Sequence, residues 1–177
     1  MELQKAYFAG GCFWCTEAVY TSLTGVVSAA PGYIGGHIKN PAYREVCTGR
    51  TGHAEAVEVI FDPTQISYDI LVQVFFATHD PTTLNRQGND VGTQYRSGIY
   101  YLDASQQERA EKYLNILTEE AVFDQPIVTE ILPVTPFYPA EEEHKNYFNR
   151  HPEQMYCAAV IAPKLDKFRK AYQSYLK

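Results

Sequence analysis

Alternation of apolar and polar positions divides the chain into short strands and helices. "LQKAYFAGG" (residues 3–11) has the two-residue period of a strand and ends in two glycines. "FWCTEAVYTSL" (13–23) spaces its apolar residues as a helix does, with Thr24 and Gly25 closing it. "VVSAAPGYIGG" (26–36) is expected as a second strand, broken by Pro31 and Gly32. A Gly-, Asn- and Pro-rich loop over 35–52 follows, and "HAEAVEVIFDP" (53–63) alternates as a half-buried strand. "YDILVQVFFATHD" (68–80) is a strongly apolar helix, and residues 81–97 form a second long polar loop. "GIYYLD" (98–103) is a strand, and 104–122 a helix with Leu114, Leu117 and Ala121 on one side. "PIVTEILPV" (126–134) reads as a strand, 140–151 as a short helix and 163–176 as a C-terminal helix.

Strands and helices mix without a regular βαβ beat, which points to an α+β sandwich rather than a doubly wound sheet. Long loops without secondary structure are uncommon in compact domains and are usually functional, so 35–52 and 81–97 mark where a site is expected. No repeat or linker interrupts the 177 residues, which read as a single catalytic domain, residues 1–177.

Composition removes whole classes of function. The net charge of -6 and the lack of a Lys/Arg cluster argue against nucleic acid as a partner. No apolar run is long enough to span a membrane. The segment "MELQKAYFAGG" lacks the basic and long apolar parts of an export signal, so the expected compartment is the cytoplasm. In a reducing compartment four cysteines are expected to be catalytic, metal-bound or buried rather than a disulfide framework.

"GGCFWCTEA" (10–18) concentrates the chemistry. If Gly10-Gly11 is a strand-to-helix turn, Cys12 lies at the helix start, where unpaired N–H groups and the dipole favour thiolate and lower the pKa from about 8.5. Three functional readings stand beside a plain buried Cys-Phe-Trp-Cys patch: Cys12 as a redox nucleophile, Cys12 and Cys15 as a general thiol–disulfide oxidoreductase pair, or Cys12, Cys15, Cys47 and Cys157 as a zinc site stabilising a binding module. Structural zinc prefers two tight ligand pairs, and Cys47 and Cys157 are each isolated. His37, His53, His79, His144 and His151 lack ligand spacing and read as loop residues or caps, and "EEEH" (141–144) as a solvated acidic helix start, so no metal is expected.

Three segments in order resemble one family. "GGCFWCTEA", "NPAYREVCTGRTGHAEAVEVIFDP" (40–63) and "HDPTTLNRQGNDVGTQYRS" (79–97) are similar to the signature turn, the tyrosine-and-glutamate segment and the third active-site loop of the peptide methionine sulfoxide reductase A family. The resemblance implies a ferredoxin-like two-layer sandwich, with a central mixed sheet, flanking helices and long active-site loops. It implies Cys12 as nucleophile, Glu55 as the acid that protonates the sulfoxide oxygen, Tyr43 and Tyr95 as hydrogen-bond donors to that oxygen, Asp90 as support for the polar side, and Phe13 and Trp14 as the wall receiving the substrate methyl group. Glu58 has no family match and reads as structural or exposed.

The implied cycle leaves Cys12 as a sulfenic acid, which condenses with a second thiol to an intramolecular disulfide that thioredoxin reduces. Cys157 comes ahead of Cys15 as the resolving thiol, and Cys47 is expected to be buried packing. The implied substrate is methionine S-sulfoxide, free or in oxidised peptides and proteins, with no cofactor and a monomeric enzyme.

Overall fold

β1 (Gln4–Ala9), α1 (Phe13–Thr21), β2 (Val26–Ile34) and α2 (Tyr43–Cys47) open the chain, followed by β3 (Ala54–Phe61) and α3 (Tyr68–Ala77). A small hairpin of β4 (Arg86–Gln87) and β5 (Asp90–Val91) precedes β6 (Gly98–Tyr101), α4 (Ala104–Glu119), β7 (Glu130–Pro133) and β8 (Tyr138–Pro139). α5 (Tyr147–Arg150) and α6 (Ala162–Ala171) close it. The computed structural model describes residues 2–177.

The main sheet runs β7-β6-β1-β3-β2-β8. Its central pairs are antiparallel, and only β6 and β7 run parallel, because the chain between them crosses over through α4. The sheet is mixed with flanking helices, and its inner β1-α1-β2-β3-α3-β6 unit is the α+β two-layer sandwich the resemblance implies.

Period-2 alternation assigns the two faces of the sheet. On β1, Ala6 and Phe8 join Val57, Val59 and Phe61 of β3 beneath α1 and α3, where Val19, Tyr20, Leu71, Val72 and Phe75 complete one large core. The opposite residues, Tyr7, Ala9, Ala54 and Ala56, form a smaller cluster under Val134 and Phe137. β3 is therefore buried over most of both faces rather than half-buried, with Glu58 and Ile60 partly open. Glu58 accepts the Tyr7 hydroxyl at 2.7 Å, a structural role.

Several elements differ from those the sequence predicts. β2 passes through Pro31 and Gly32 without a break. The Pro31 carbonyl accepts from Ala140 N–H at 2.9 Å. In an extended strand a residue's N and carbonyl point the same way, so the missing proline N–H faces the β8 side and costs β3 no hydrogen bond. Loop 35–52 contains α2, and loop 81–97 contains the β4–β5 hairpin and a 3₁₀ turn at Thr93–Tyr95. Ala121 lies beyond the end of α4 at φ +50 and exposed, while Leu117 does face the core. The expected helix at 140–151 is instead a 3₁₀ turn at Glu142–His144 and the four-residue α5. Among the described residues no helix is long and apolar enough to cross a membrane.

Gly32 is where β8 comes closest to β2. A Cβ there would overlap the Phe137 ring and lie 2.5 Å from the Tyr138 carbonyl oxygen. Gly32→Ala is expected to cost about 1–3 kcal/mol in urea unfolding, as overpacking does. An unchanged midpoint would show that β8 can move away freely.

Candidate active site

The site begins at the end of β1. Gly11 takes φ +88, a left-handed conformation open to glycine, and turns the chain sharply into α1. Gly10 packs against the rings of Phe75 and His79. Cys12 follows as the helix N-cap, its carbonyl accepting from Cys15 N–H at 3.2 Å. The helix-start position is as expected, but its effect on the thiol is not. Burial and then the charge of Glu55 push the Cys12 pKa well above its ordinary value, against the opposing N–H of Trp14. Desolvation outweighs the few N–H dipoles of one helix end, so the resting group is a thiol rather than a thiolate.

Glu55 stands on the helix-facing side of β3, opposite Tyr33 of β2, and is 1% exposed. Its Oε1 accepts the Phe13 N–H at 3.1 Å, and its Oε2 has no partner among the described residues. Burial raises its pKa to about 8, the Phe13 N–H opposing and Asp90 adding to the rise. At neutral pH the carboxyl keeps its proton, placed on Oε2 because Oε1 faces a donor.

The two long loops bring polar groups around this carboxyl. Tyr43 opens α2 and Tyr95 ends the 3₁₀ turn of the second loop. Burial and then Glu55 raise both hydroxyl pKa values, so both remain donors. Asp90 begins β5 and accepts the Tyr156 hydroxyl at 2.6 Å.

The aromatic side is layered. Phe13 is 1% exposed, its ring packed among Tyr33, Tyr43 and His144, so it forms the floor rather than an open surface. Trp14 is only partly covered. It stacks on Tyr147 with centroids 3.8 Å apart and planes 9° apart, and meets Tyr156 edge-on. Its indole N–H donates to His144 Nδ1 at 3.1 Å. The structure thus gathers Cys12, Phe13, Trp14, Tyr43, Glu55, Asp90 and Tyr95 at one end of the sheet.

All four cysteines are free. Cys15 and Cys157 are buried, Cys157 completely, at the start of a π-helical turn (Cys157–Ile161). Cys47, expected inside, is exposed, because α2 turns Val46 inward and leaves Cys47 beside the Tyr43 hydroxyl. Among the described residues the four cysteines do not converge; Glu141, Glu143 and His144 are the one group of three His, Cys, Asp or Glu close enough to share an ion. Glu141 already accepts from the Tyr33 hydroxyl and Tyr43 N–H, and His144 Nδ1 from Trp14, while His144 Nε2 has no partner among the described residues. His144 and His53 are buried rather than loop caps; His53 accepts Gly36 N–H and bonds the Ile38 carbonyl, folding the first loop inward. A wide cleft of about 910 Å³ between α3 and α6 includes none of the converging residues.

Residues 4–176 match the family model described as "Peptide methionine sulfoxide reductase". The chain belongs to the peptide methionine sulfoxide reductase family. It is 56% identical to the peptide methionine sulfoxide reductase MsrA of Deinococcus radiodurans, over 98% of this chain and 84% of that protein. It is 54% identical to a Thermus thermophilus MsrA, over 100% of this chain and 99% of that protein. Among solved structures, Mxr1 of Saccharomyces cerevisiae in reduced form has a TM-score of 0.82 at 34% identity, covering 88% of this chain and 90% of Mxr1. The methionine sulfoxide reductase A of Corynebacterium diphtheriae has a TM-score of 0.76 at 42% identity, covering 85% of this chain and 76% of that one.

Four residues that touch this family site escaped sequence reasoning: Glu141, His144, Tyr147 and Tyr156. The run "EEEH" offered the first two, but its acidity reads as solvent exposure until Tyr33 and Tyr43 are seen to face Glu141. Tyr147 and Tyr156 carry no local signal among fourteen tyrosines.

Glu55→Gln keeps an acceptor for Phe13 N–H but has no proton to give. It is expected to slow turnover by about 10²–10⁴-fold. The folded pKa, about 8, lies above the ordinary 4.5, so the carboxyl's contribution to stability is complete below pH 4.5 and is lost as pH rises toward 8. Wild type should therefore lose thermal stability relative to Glu55→Gln between pH 5 and pH 9. A Tm difference that stays constant over that range would place the titration elsewhere.

Proposed function

We propose that the chain reduces methionine S-sulfoxide, free or in oxidised peptides and proteins, to methionine. The carrying observation is a buried carboxyl beside the Cys12 thiol that holds its proton at neutral pH and leaves one oxygen unpartnered. A sulfoxide needs both groups: a sulfur nucleophile, and an acid where the departing oxygen gathers negative charge.

In the proposed step Cys12 sulfur attacks the sulfoxide sulfur. Glu55 gives its proton to the oxygen, and the thiol proton restores Glu55. That attack makes a transient bond between the two sulfurs; this bond and the substrate S–O bond then break as the oxygen passes to Cys12, so that Cys–SH and R₂S=O become Cys–SOH and R₂S, the substrate sulfur reduced and Cys12 oxidised. Tyr43 and Tyr95 donate to the oxygen and Asp90 steadies the polar side through Tyr156. The substrate methyl group rests against Trp14 above the Phe13 floor. Exchanging the epimers would put oxygen against indole and methyl against hydroxyls, which excludes the R form.

Cys157, ahead of Cys15, is the thiol proposed to condense with the sulfenic acid and release water. Tyr156, its chain neighbour, already reaches Asp90 and Trp14, which supports that order. Yeast Mxr1 has also been solved in complex with Trx2, and a thioredoxin is the reductant proposed here. The whole chain acts as one catalytic domain, as a cytoplasmic monomer independent of membranes.

The test mixes reduced protein with each pure epimer without added reductant. About one methionine per chain is expected from the S epimer alone, with the Cys12 peptide linked to that of Cys157 in mass spectra. Cys12→Ser should release none while keeping the wild-type circular dichroism. Methionine from neither epimer, or equal yields from both, would overturn the reading.

A further inference from the structure

The segment from Glu141 to Tyr147 touches both halves of the site. Glu141 accepts the Tyr43 N–H and the Tyr33 hydroxyl, each at 2.9 Å, and so fixes the start of α2. Three residues on, His144 is 5% exposed and lies against the rings of Phe13, with centroids 5.3 Å apart, and Tyr43, at 4.5 Å. Its Nδ1 takes the indole N–H of the half-open Trp14 at 3.1 Å. Tyr147 stacks flat on the same indole.

We propose that His144 is a positioning residue that sets the indole of Trp14 relative to the Tyr43 hydroxyl, and through that distance sets discrimination between sulfoxide epimers. This rests on the sulfoxide reading of the site. The chemistry demands one form of the ring. Only an unprotonated Nδ1 can accept an N–H, so the tautomer must carry its proton on Nε2. Burial lowers the His144 pKa, which favours that neutral form, although Glu141 and Glu143 pull the other way. Stacking on Tyr147 resists tilting of the indole but leaves it free to slide in its own plane. The directional hydrogen bond removes that freedom, since it weakens steeply off axis. Epimer choice depends on where methyl and oxygen fall relative to each other, so one residue contacting both the indole and the tyrosine ring is well placed to control it.

The chain holds a single tryptophan, so its fluorescence reports Trp14 alone. His144→Phe keeps a ring against Tyr43 and removes the acceptor. His144→Asn offers an amide oxygen near the place of Nδ1 and guards against a variant that fails to fold. For His144→Phe the expected results are a shifted Trp14 emission, a KM for methionine S-sulfoxide about three- to tenfold higher with kcat less affected, and a smaller preference for the S epimer. His144→Asn should recover emission, KM and epimer preference more fully than His144→Phe, which a purely structural role would not require. Wild-type emission in His144→Phe, or altered emission with unchanged KM and epimer ratio, would overturn the proposal. Wild-type protein inactive on both epimers would overturn the sulfoxide reading instead, and the emission comparison would still decide whether His144 holds the indole.

Discussion

One hydrogen bond, from Phe13 N–H to Glu55 Oε1, ties the centre of the sheet to the start of α1. A carboxyl on the core face of a central strand is costly when charged, and it stays there by remaining protonated. A helix start carries N–H groups with no partner inside the helix, and Glu55 satisfies one of them. Each problem answers the other, and the outcome holds Cys12, the residue before Phe13, beside an acid. Cys12 is only partly covered while Glu55 is fully buried, yet desolvation is the main cause that raises both pKa values. The site rests with a thiol and a neutral acid, its protons in place for a reaction that must deliver one to oxygen.

The second constraint is the segment from β8 to α5, which crosses the open side of that arrangement and is anchored in sequence. Ala140 N–H reaches Pro31, Glu141 takes Tyr33 and Tyr43, and Asn146 N–H meets both oxygens of Glu17 on α1 at 2.9 Å. Glu17 is a second buried carboxyl, its pKa raised to about 7 by burial and pulled down by the N–H groups of Asn146 and Tyr147. Thus α1 meets a carboxyl from the sheet at its start and carries one of its own at mid-helix that receives the crossing segment. α1 accordingly buries Phe13, Cys15, Glu17, Val19 and Tyr20 rather than a single helical stripe.

That distribution explains what is legible in the sequence. β1, α3 and α4 follow from local period alone, and the three motif segments carry the converging residues. Pro31 misleads because its missing N–H matters only when one knows which side β3 occupies. The Cys12 thiol misleads because helix-end dipoles are visible in sequence, whereas burial beside Glu55 is not. Cys47 lies outside because a five-residue helix can turn only Val46 inward. Glu141 and His144 are hidden by their own composition, since an acidic run looks solvated until a tyrosine from β2 and another from α2 meet it.

The position of Cys157 adds a final constraint on turnover. Its side chain is wholly inside the core, yet the residue before it closes the site through Asp90. If this thiol resolves the sulfenic acid, it must leave the core, and Tyr156 beside it, bonded to Asp90 and edge-on to Trp14, would move with it. The π-helical turn at Cys157–Ile161 is a suitable place to give way, because wide turns of this kind pack poorly within a helix and its middle residues 158–160 are exposed. Forming the disulfide would then remove Tyr156 from both the polar corner and the aromatic wall. Substrate binding and thiol resolution would draw on the same tyrosine in turn, so an oxidised site could not hold a second sulfoxide until the reductant had restored it.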